Sequence, residues 1–337
     1  MAVRGGIIRR SAILLVKSET TPGTDAAPTV AANALVAYEV EMNPRANASV
    51  FERKPIVGDA QLGNQTPVSG IVSATISFKV PVCGSGTAGT APDYGAALKA
   101  CGTSETIVGA TSVTYKLTAT ATTATIWFYA GPAADLASPS ANWKLYKMRG
   151  CIGNAKYVVG GNGEPAMWEF EFQGTYVTPV DVSDPGDPTL LEVVPEPILA
   201  AGLSWTKDGG STHAPRFKSM TFDFGNNVVA RKDLNQTSGI VAFIMEDRTP
   251  NVTMQIEEEL ASSSANWWDT VEDNDFGVLE IGPIGSAGNI HAVSFARASL
   301  KSVSMTEADG VISLDTEWTP AINVASLSTA AATITFT

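Results

Sequence analysis

The sequence predicts a mainly β protein made of two copies of one β-rich unit in tandem. The first observation is a strict alternation: Met220, Phe222 and Phe224 fall on one side of a strand, and Thr221 and Asp223 fall on the other. This period of two is typical of a strand with one buried face. The second observation is that the same order of strands, turns and loops occurs earlier in the chain. The third is a proline-rich segment between the two copies.

The opening strand of the first copy repeats the pattern of residues 217–256. Tyr38, Val40 and Met42 alternate with Glu39 and Glu41, and a turn, an Arg-Lys pair and a polar loop follow in the same order. A repeated order of this kind is the signature of an internal duplication.

The two copies also agree in spacing. Arg53 lies 21 residues before Ala74, and Arg231 lies 20 residues before Asn251. Both loops contain Asn-Gln-Thr and Ser-Gly-Ile, but at different distances from the Arg-Lys pair. The register between the copies therefore stays open at the level of sequence.

A second pair of matching strands closes the two copies. Residues 167–176 and 311–318 alternate in the same way, and each strand is followed by Thr-Pro. Val177–Pro197 contains five prolines and an acidic balance, which is typical of an interdomain linker. The predicted organisation is an N-terminal arm or first strand (1–35), a first unit (36–180), a linker (181–197), a second unit (198–322) and a C-terminal arm (323–337).

Each unit is predicted to have one short flanking helix, at residues 91–100 and 264–271. The loop Gly84–Gly89 matches G-x-G-x-x-G literally, before the first of these helices. A dinucleotide site needs this motif within βαβ units. The surrounding pattern is antiparallel β, so a plain loop is predicted. An enzyme that binds a nucleotide at this loop is the competing hypothesis.

Composition restricts the function. The 337 residues carry a net charge of −12, which disfavours a protein that grips nucleic acid, because such proteins place Lys and Arg on the phosphates. No apolar run approaches the ~20 residues of a membrane helix. Ala12–Val16 is too short for the core of a signal peptide. Three unevenly spaced cysteines are predicted to be reduced and structural.

Catalytic and metal-binding patterns are weak. His213 and His291 are the only histidines, and neither has a carboxylate or a cysteine at ligand spacing, so both are predicted to be surface residues. The acidic run Glu272–Asp275 lacks the glycine and terminal glutamate of an EF-hand. The sequence predicts no enzyme, no metal and no cofactor.

Carboxylates recur on the polar side of the alternating strands. They form a candidate acidic face: Glu39, Glu41, Glu169, Glu171, Asp223, Glu257, Asp315 and Glu317. In most proteins such a face is simply solvated. The alternative is that sheets from several subunits close into a ring and turn this face toward a channel, in which a polyanion slides without binding.

Three segments carry a resemblance to a known family: ETTPGTD (19–25), YGAALKACG (94–102) and FDFGNNVVARKDLN (222–235). With them the chain resembles the tail tube, or major tail, proteins of long non-contractile phage tails. The resemblance implies β-sandwich or rolled-sheet units that assemble into stacked rings, with sheets that close into a β-barrel lumen. It favours the channel interpretation of the acidic face.

The resemblance also implies partners and a location. The partners are further copies of the chain, the tape-measure protein, the tail terminator, distal tail or baseplate proteins, and double-stranded DNA that passes without tight binding. The location is the virion tail, assembled in the host cytoplasm, without a membrane. A long loop is expected to contact the next ring, with candidate residues Pro55, Gly58, Asp59, Leu62 and Gly63.

The chain departs from many tube proteins because it carries two units instead of one. Three such chains supply the six units of the usual ring, which predicts a trimeric, pseudo-hexameric ring. The alternative function is a two-domain β-sandwich adhesin or carbohydrate-binding module, with Trp127, Trp143 and Trp168 as sugar-stacking candidates. Trp168 lies on the apolar side of its strand, which is the argument against this alternative.

Overall fold

The computed structural model describes residues 7–54, 65–132, 143–161, 163–236, 238–260, 265–308, 310–322 and 329–337. Strands make up 57% of the structure and helices 5%, so the predicted mainly β class is confirmed. The candidate loop residues Pro55, Gly58, Asp59, Leu62 and Gly63 lie outside the described residues.

The described residues of the first half form twelve strands: β1 (Ile7–Ser18), β2 (Ala34–Leu35), β3 (Tyr38–Ala46), β4 (Val50–Arg53), β5 (Gln65–Ser69), β6 (Ser73–Pro81), β7 (Thr103–Val108), β8 (Ser112–Leu117), β9 (Ala124–Pro132), β10 (Trp143–Val159), β11 (Met167–Tyr176) and β12 (Val180–Val182). Its helices are α1 (Val30–Asn33) and α2 (Gly95–Ala100).

Ten strands lie in the part of the second half that the structure describes: β13 (Ser204–Lys207), β14 (Thr212–His213), β15 (Phe217–Asp223), β16 (Asn226–Lys232), β17 (Ile240–Arg248), β18 (Asn251–Glu257), β19 (Phe276–Ile284), β20 (His291–Ala308), β21 (Val311–Pro320) and β22 (Thr333–Phe336). Its helix is α3 (Trp267–Glu272).

The pairings of the first half recur in the second. Strands β3, β6, β11 and β10 are neighbours in that order, and so are β15, β18, β21 and β20. Outside this core, β1–β9–β10 corresponds to β13–β19–β20. The hairpin β4–β5 corresponds to β16–β17. The short strands β12 and β22 each pair with the N-terminal part of the long strand.

The two halves are joined edge to edge by an antiparallel pairing of β10 with β15, in which Lys156 lies opposite Asp223 and Val159 opposite Met220. The result is a continuous run of eight strands, β3-β6-β11-β10-β15-β18-β21-β20. Its two ends are β3 and the C-terminal part of β20. Neither end has a further strand partner among the described residues.

The apolar side of this sheet forms the core. It contains two aromatic clusters: Phe78, Phe170 and Phe172 pack together in the first half, and Trp205, Trp267 and Trp318 meet in the second. In α3, Trp267 is buried and the adjacent Trp268 is 41% exposed. This adjacent pair of tryptophans therefore places one ring in the core.

The loop Gly84–Gly89 packs against the second half. The Gly84 N–H donates to Asn289 Oδ1 at 2.7 Å, and the Gly86 N–H donates to the Gly288 carbonyl at 3.0 Å. A Cβ on Gly84 would lie 2.5 Å from the Gly288 oxygen, so the glycine is required by this close approach. Two of the N–H groups that a phosphate would use are thus already engaged.

The terminal segments contribute strands to the fold. In β1, Leu14, Leu15 and Val16 are buried against β9. At the other end, β22 lies between β20 and β8, and so connects the two halves of the chain. The three cysteines, Cys83, Cys101 and Cys151, are free and buried, as predicted.

The segment 19–25 is held in place by its two carboxylates. Glu19 accepts hydrogen bonds from the Thr125 hydroxyl and the Gly150 N–H, both at 2.8 Å. Asp25 accepts from Trp127 Nε1 at 3.1 Å and pairs with Lys147 at 3.2 Å. These contacts give the ETTPGTD segment a structural role in fixing the chain between β1 and α1.

Candidate assembly interface

The candidate acidic face is a single surface of the eight-stranded sheet. Glu41 lies opposite Ser77, Ser77 opposite Glu171, and Glu171 opposite Asn154. Residues directly opposite in a sheet point to the same side. The pairings of β18 with β21 likewise place Asp315 and Glu317 on the side of Gln255 and Thr253. The sequence-predicted residues are thus brought together on one side of the sheet.

This polar face has depressions in both halves. The first, of about 360 Å³, lies among β3, β6, β10 and β11 and includes Glu39, Glu41, Glu169 and Glu171. The second, of about 380 Å³, lies among β15, β18, β20 and β21 and includes Asp315 and Glu317. Each half therefore presents a hollow, polar surface to solvent.

Basic residues on the same face were missed by sequence reasoning. Lys79 pairs with Glu39 at 2.8 Å and with Glu169 at 3.1 Å, and Lys156 pairs with Asp223 at 3.0 Å. Hydrogen bonds to these carboxylates raise the pKa of both lysines. The alternation of each strand shows the side that a lysine occupies. Its partner depends on the register across strands, which sequence does not give.

Two further pairs reduce the negative charge of the face. Lys301 lies 2.8 Å from Glu317, and Arg216 lies 3.2 Å from Glu257. Burial opposes ionisation of Asp223, but hydrogen bonds from Asn154, the Gly225 N–H and Lys156 outweigh it and lower the pKa of Asp223. The face is therefore mixed, with a smaller excess of carboxylates than the list of acids alone predicts.

The two ends of the sheet expose apolar side chains where the middle buries them. At the β10–β15 junction, Tyr157 and Phe222 are fully buried. At the β20 end, Met305 is 63% exposed and Ile312 is 51% exposed. At the β3 end, a groove of about 490 Å³ is lined by Val40, Met42, Pro44, Phe128 and Tyr146. Exposed apolar surface at both ends is typical of an interaction site.

The tryptophans of the carbohydrate-binding alternative are engaged in the structure. Trp168 is fully buried and packs edge-on against Tyr157. The ring of Trp127 is covered by Lys147, whose Nζ lies 3.8 Å from the ring centroid. Trp168 therefore presents no free face to a sugar, and one face of Trp127 is covered by Lys147.

The prediction that both histidines are surface residues is wrong for His291. Its side chain is 1% exposed, because β20 places it in the core. A hydrogen bond of 3.1 Å joins His291 Nε2 to Tyr157 Oη, and it connects the two halves. Burial lowers the pKa of His291 to about 4. His213 is partly exposed and stacks on Trp205.

Acidification is expected to destabilise the protein through His291. Unfolded chains bind a proton at this residue below pH ~6.5, whereas the native state resists it down to pH ~4. Stability is therefore lost as pH falls through this window, by about 3 kcal/mol in total. We expect His291→Gln to remove this step from urea unfolding measured at pH 4 to 8, and His213→Gln to keep it. A step of equal size in both variants would contradict the assignment.

Other chemistry is limited among the described residues. No group of three or more His, Cys, Asp or Glu side chains is arranged to hold a metal ion there. The helices of the described segments are too short and too polar to cross a membrane. No protein-family model matches the chain, and no curated protein matches it either.

Proposed function

We propose that the chain is the structural subunit of a phage tail tube, in which three copies form a ring and the rings stack into a hollow tube that conducts DNA. The observation that carries the proposal is the β10–β15 junction, together with the open ends at β3 and β20. In the repeated topology, β3 corresponds to β15 and β20 corresponds to β10. By analogy with the β10–β15 pairing inside the chain, β20 of one chain would pair with β3 of the next.

Repetition of this junction favours a closed assembly. A head-to-tail contact repeated by a fixed rotation gives a ring when the rotation closes. Each chain supplies two tandem units of the β-sandwich or rolled-sheet type, so three chains supply six. The eight strands of each chain then join into one barrel, and closure removes the exposed strand edges.

The polar face suits the wall of a channel for DNA. The net charge of −12 repels a polyanion at long range, and four of the basic side chains near the face are paired with carboxylates. DNA would thus meet a hydrated, weakly repulsive wall. The tape-measure protein, the tail terminator and the distal tail proteins are proposed partners on the same basis, and the virion tail is the proposed location.

Electron microscopy of concentrated protein or of parent particles tests this proposal. We expect tubes whose end views have three-fold symmetry. Six copies in each ring would keep the tube and refute the assignment of two ring positions to one chain. Discrete monomers under all conditions, with sugar-dependent quenching of tryptophan fluorescence, would support the carbohydrate-binding alternative.

A further inference from the structure

One hairpin of the chain is seated on the half that precedes it. The hairpin β16–β17 belongs to the second half, yet its Ile240 and Phe243 are buried in a cluster with Ile152 of β10. Ile71, just before β6, and Val228 of β16 pack against the same cluster. The hairpin therefore covers one end of the first half's sheet.

The corresponding end of the second half's sheet is an open groove. Each long strand has one extra residue at the same place, before Ile152 in β10 and before Ser302 in β20. Next to this position in β20 lies a groove of about 1040 Å³. Its walls are mostly small or apolar: Leu117, Pro250, Pro320, Ala321, Ile322 and Ala330.

The hairpin β4–β5, which is the counterpart of β16–β17 in the first half, has exposed apolar side chains that could fill such a groove. In β4–β5, Val50 is 54% exposed, Phe51 is 69% exposed and Val68 is 53% exposed. Val50 lies three residues before Arg53, as the seated Val228 lies three residues before Arg231. This hairpin belongs to the first half, and no earlier half lies before it among the described residues.

We propose that the groove beside β20 seats the β4–β5 hairpin of a second copy of this chain. The proposal rests on the ring described above. Inside the chain, the strand pairing and the hairpin contact involve the same two partners: β15 pairs with β10, and the hairpin that follows β15 covers β10. By the same rule, β3 of one copy pairs with β20 of its neighbour, and the hairpin after β3 covers that β20. Each junction between chains thereby has two parts, a strand pairing and a seated hairpin.

Chemical crosslinking between two substituted chains tests whether the β4–β5 hairpin of one copy binds in the groove beside β20 of another, a contact called the seat below. Val50→Cys and Ile322→Cys are made in separate chains, mixed, assembled and treated with a short bismaleimide. Ile322 is 57% exposed in the groove, and the three native cysteines are buried. We expect a covalent dimer that forms only in the mixture and only after assembly. In the control, Leu234→Cys replaces Val50→Cys. Leu234 is 89% exposed and lies between β16 and β17, and we expect this pair of chains to give no dimer.

The outcomes separate the two proposals. Normal rings without the Val50–Ile322 crosslink would overturn the seat and leave the ring intact. In a chain that carries both cysteines, a crosslink that forms inside single, unassembled molecules would also overturn it, since the hairpin would then occupy the groove of its own chain. Absence of rings for the unsubstituted protein would refute the proposed function, and the seat with it. In a chain that carries both cysteines, we expect covalent trimers as the largest product of a closed three-fold ring.

Discussion

Met305→Asp is expected to raise the protein concentration needed for assembly on the order of a hundredfold. The side chain lies on the apolar side of the β20 end and is 63% exposed, so the isolated chain tolerates a carboxylate there. Docking of β3 from a neighbour would bury that carboxylate without a partner. Light scattering or sedimentation across a concentration series measures the shift.

The matched control is Val194→Asp, which also places a carboxylate at an exposed apolar residue but in the linker, where Val194 is 81% exposed. We expect this variant to assemble as the unsubstituted protein does. Both variants are expected to unfold at the same temperature as the unsubstituted protein. Unchanged assembly of Met305→Asp would mean that the β20 end is not an interface.

Arg248→Ala is expected to destabilise the chain by at least about 3 kcal/mol. Arg248 belongs to the second half, and its guanidinium donates to the main-chain carbonyls of Thr118, Cys101 and Gly102 at 2.9–3.0 Å in the first half. Removal of the side chain takes a charged donor away from all three carbonyls, although Cys101 keeps a hydrogen bond from Asn226 Nδ2 and Gly102 keeps one from the Thr118 N–H. It also removes a positive charge from the C-terminal end of α2, where a cation is favourable.

Burial lowers the pKa of Arg248 to about 10, which keeps the guanidinium charged at neutral pH. The control is Arg231→Ala, because Arg231 is exposed on the same hairpin and its loss is expected to change stability by less than ~0.5 kcal/mol. Urea unfolding of both variants at neutral pH measures the difference. Equal effects from the two substitutions would show that the contacts of Arg248 do not hold the halves together.

The sequence was most informative where a strand has one buried face. Residues 167–176 were predicted as a strand and form β11 with the same bounds, because alternate residues face the aromatic core. In contrast, β7 was not predicted. Most of its side chains are exposed, and within the described part of the chain it pairs with β8 alone, so burial imposes little alternation on its sequence.

Turn signals misled the prediction at two places. The turn-forming Gly150 predicts two separate strands, at residues 143–148 and 151–159. In the structure β10 is continuous, and Gly150, at φ +60°, lies at a β-bulge that accommodates one extra residue. The helix predicted from residue 91 begins at Gly95, because residues 92–94 form a turn in which the Gly95 N–H donates to the Pro92 carbonyl.

The candidate face was predictable only in part. Alternation within each strand identified the carboxylates correctly as residues on the polar side. The lysines that pair with them, and the burial of His291, depend on which strands are neighbours and on their register. Those relations are set by long-range pairings such as Lys156 with Asp223, which are 67 residues apart in the chain.

The covalent connection between the halves has a kinetic and thermodynamic consequence for a ring of six units. Half of the junctions are then formed inside chains during folding, and their strands meet at the high effective concentration of a tethered pair. Only three junctions depend on collisions between molecules, so the loss of translational freedom is limited to three bodies. The tether also lets the two halves diverge. Among the described residues, the hairpin β7–β8 occurs in the first half and has no counterpart in the second, so the exterior of such a ring would repeat every 120° while its interior strand order repeats every 60°.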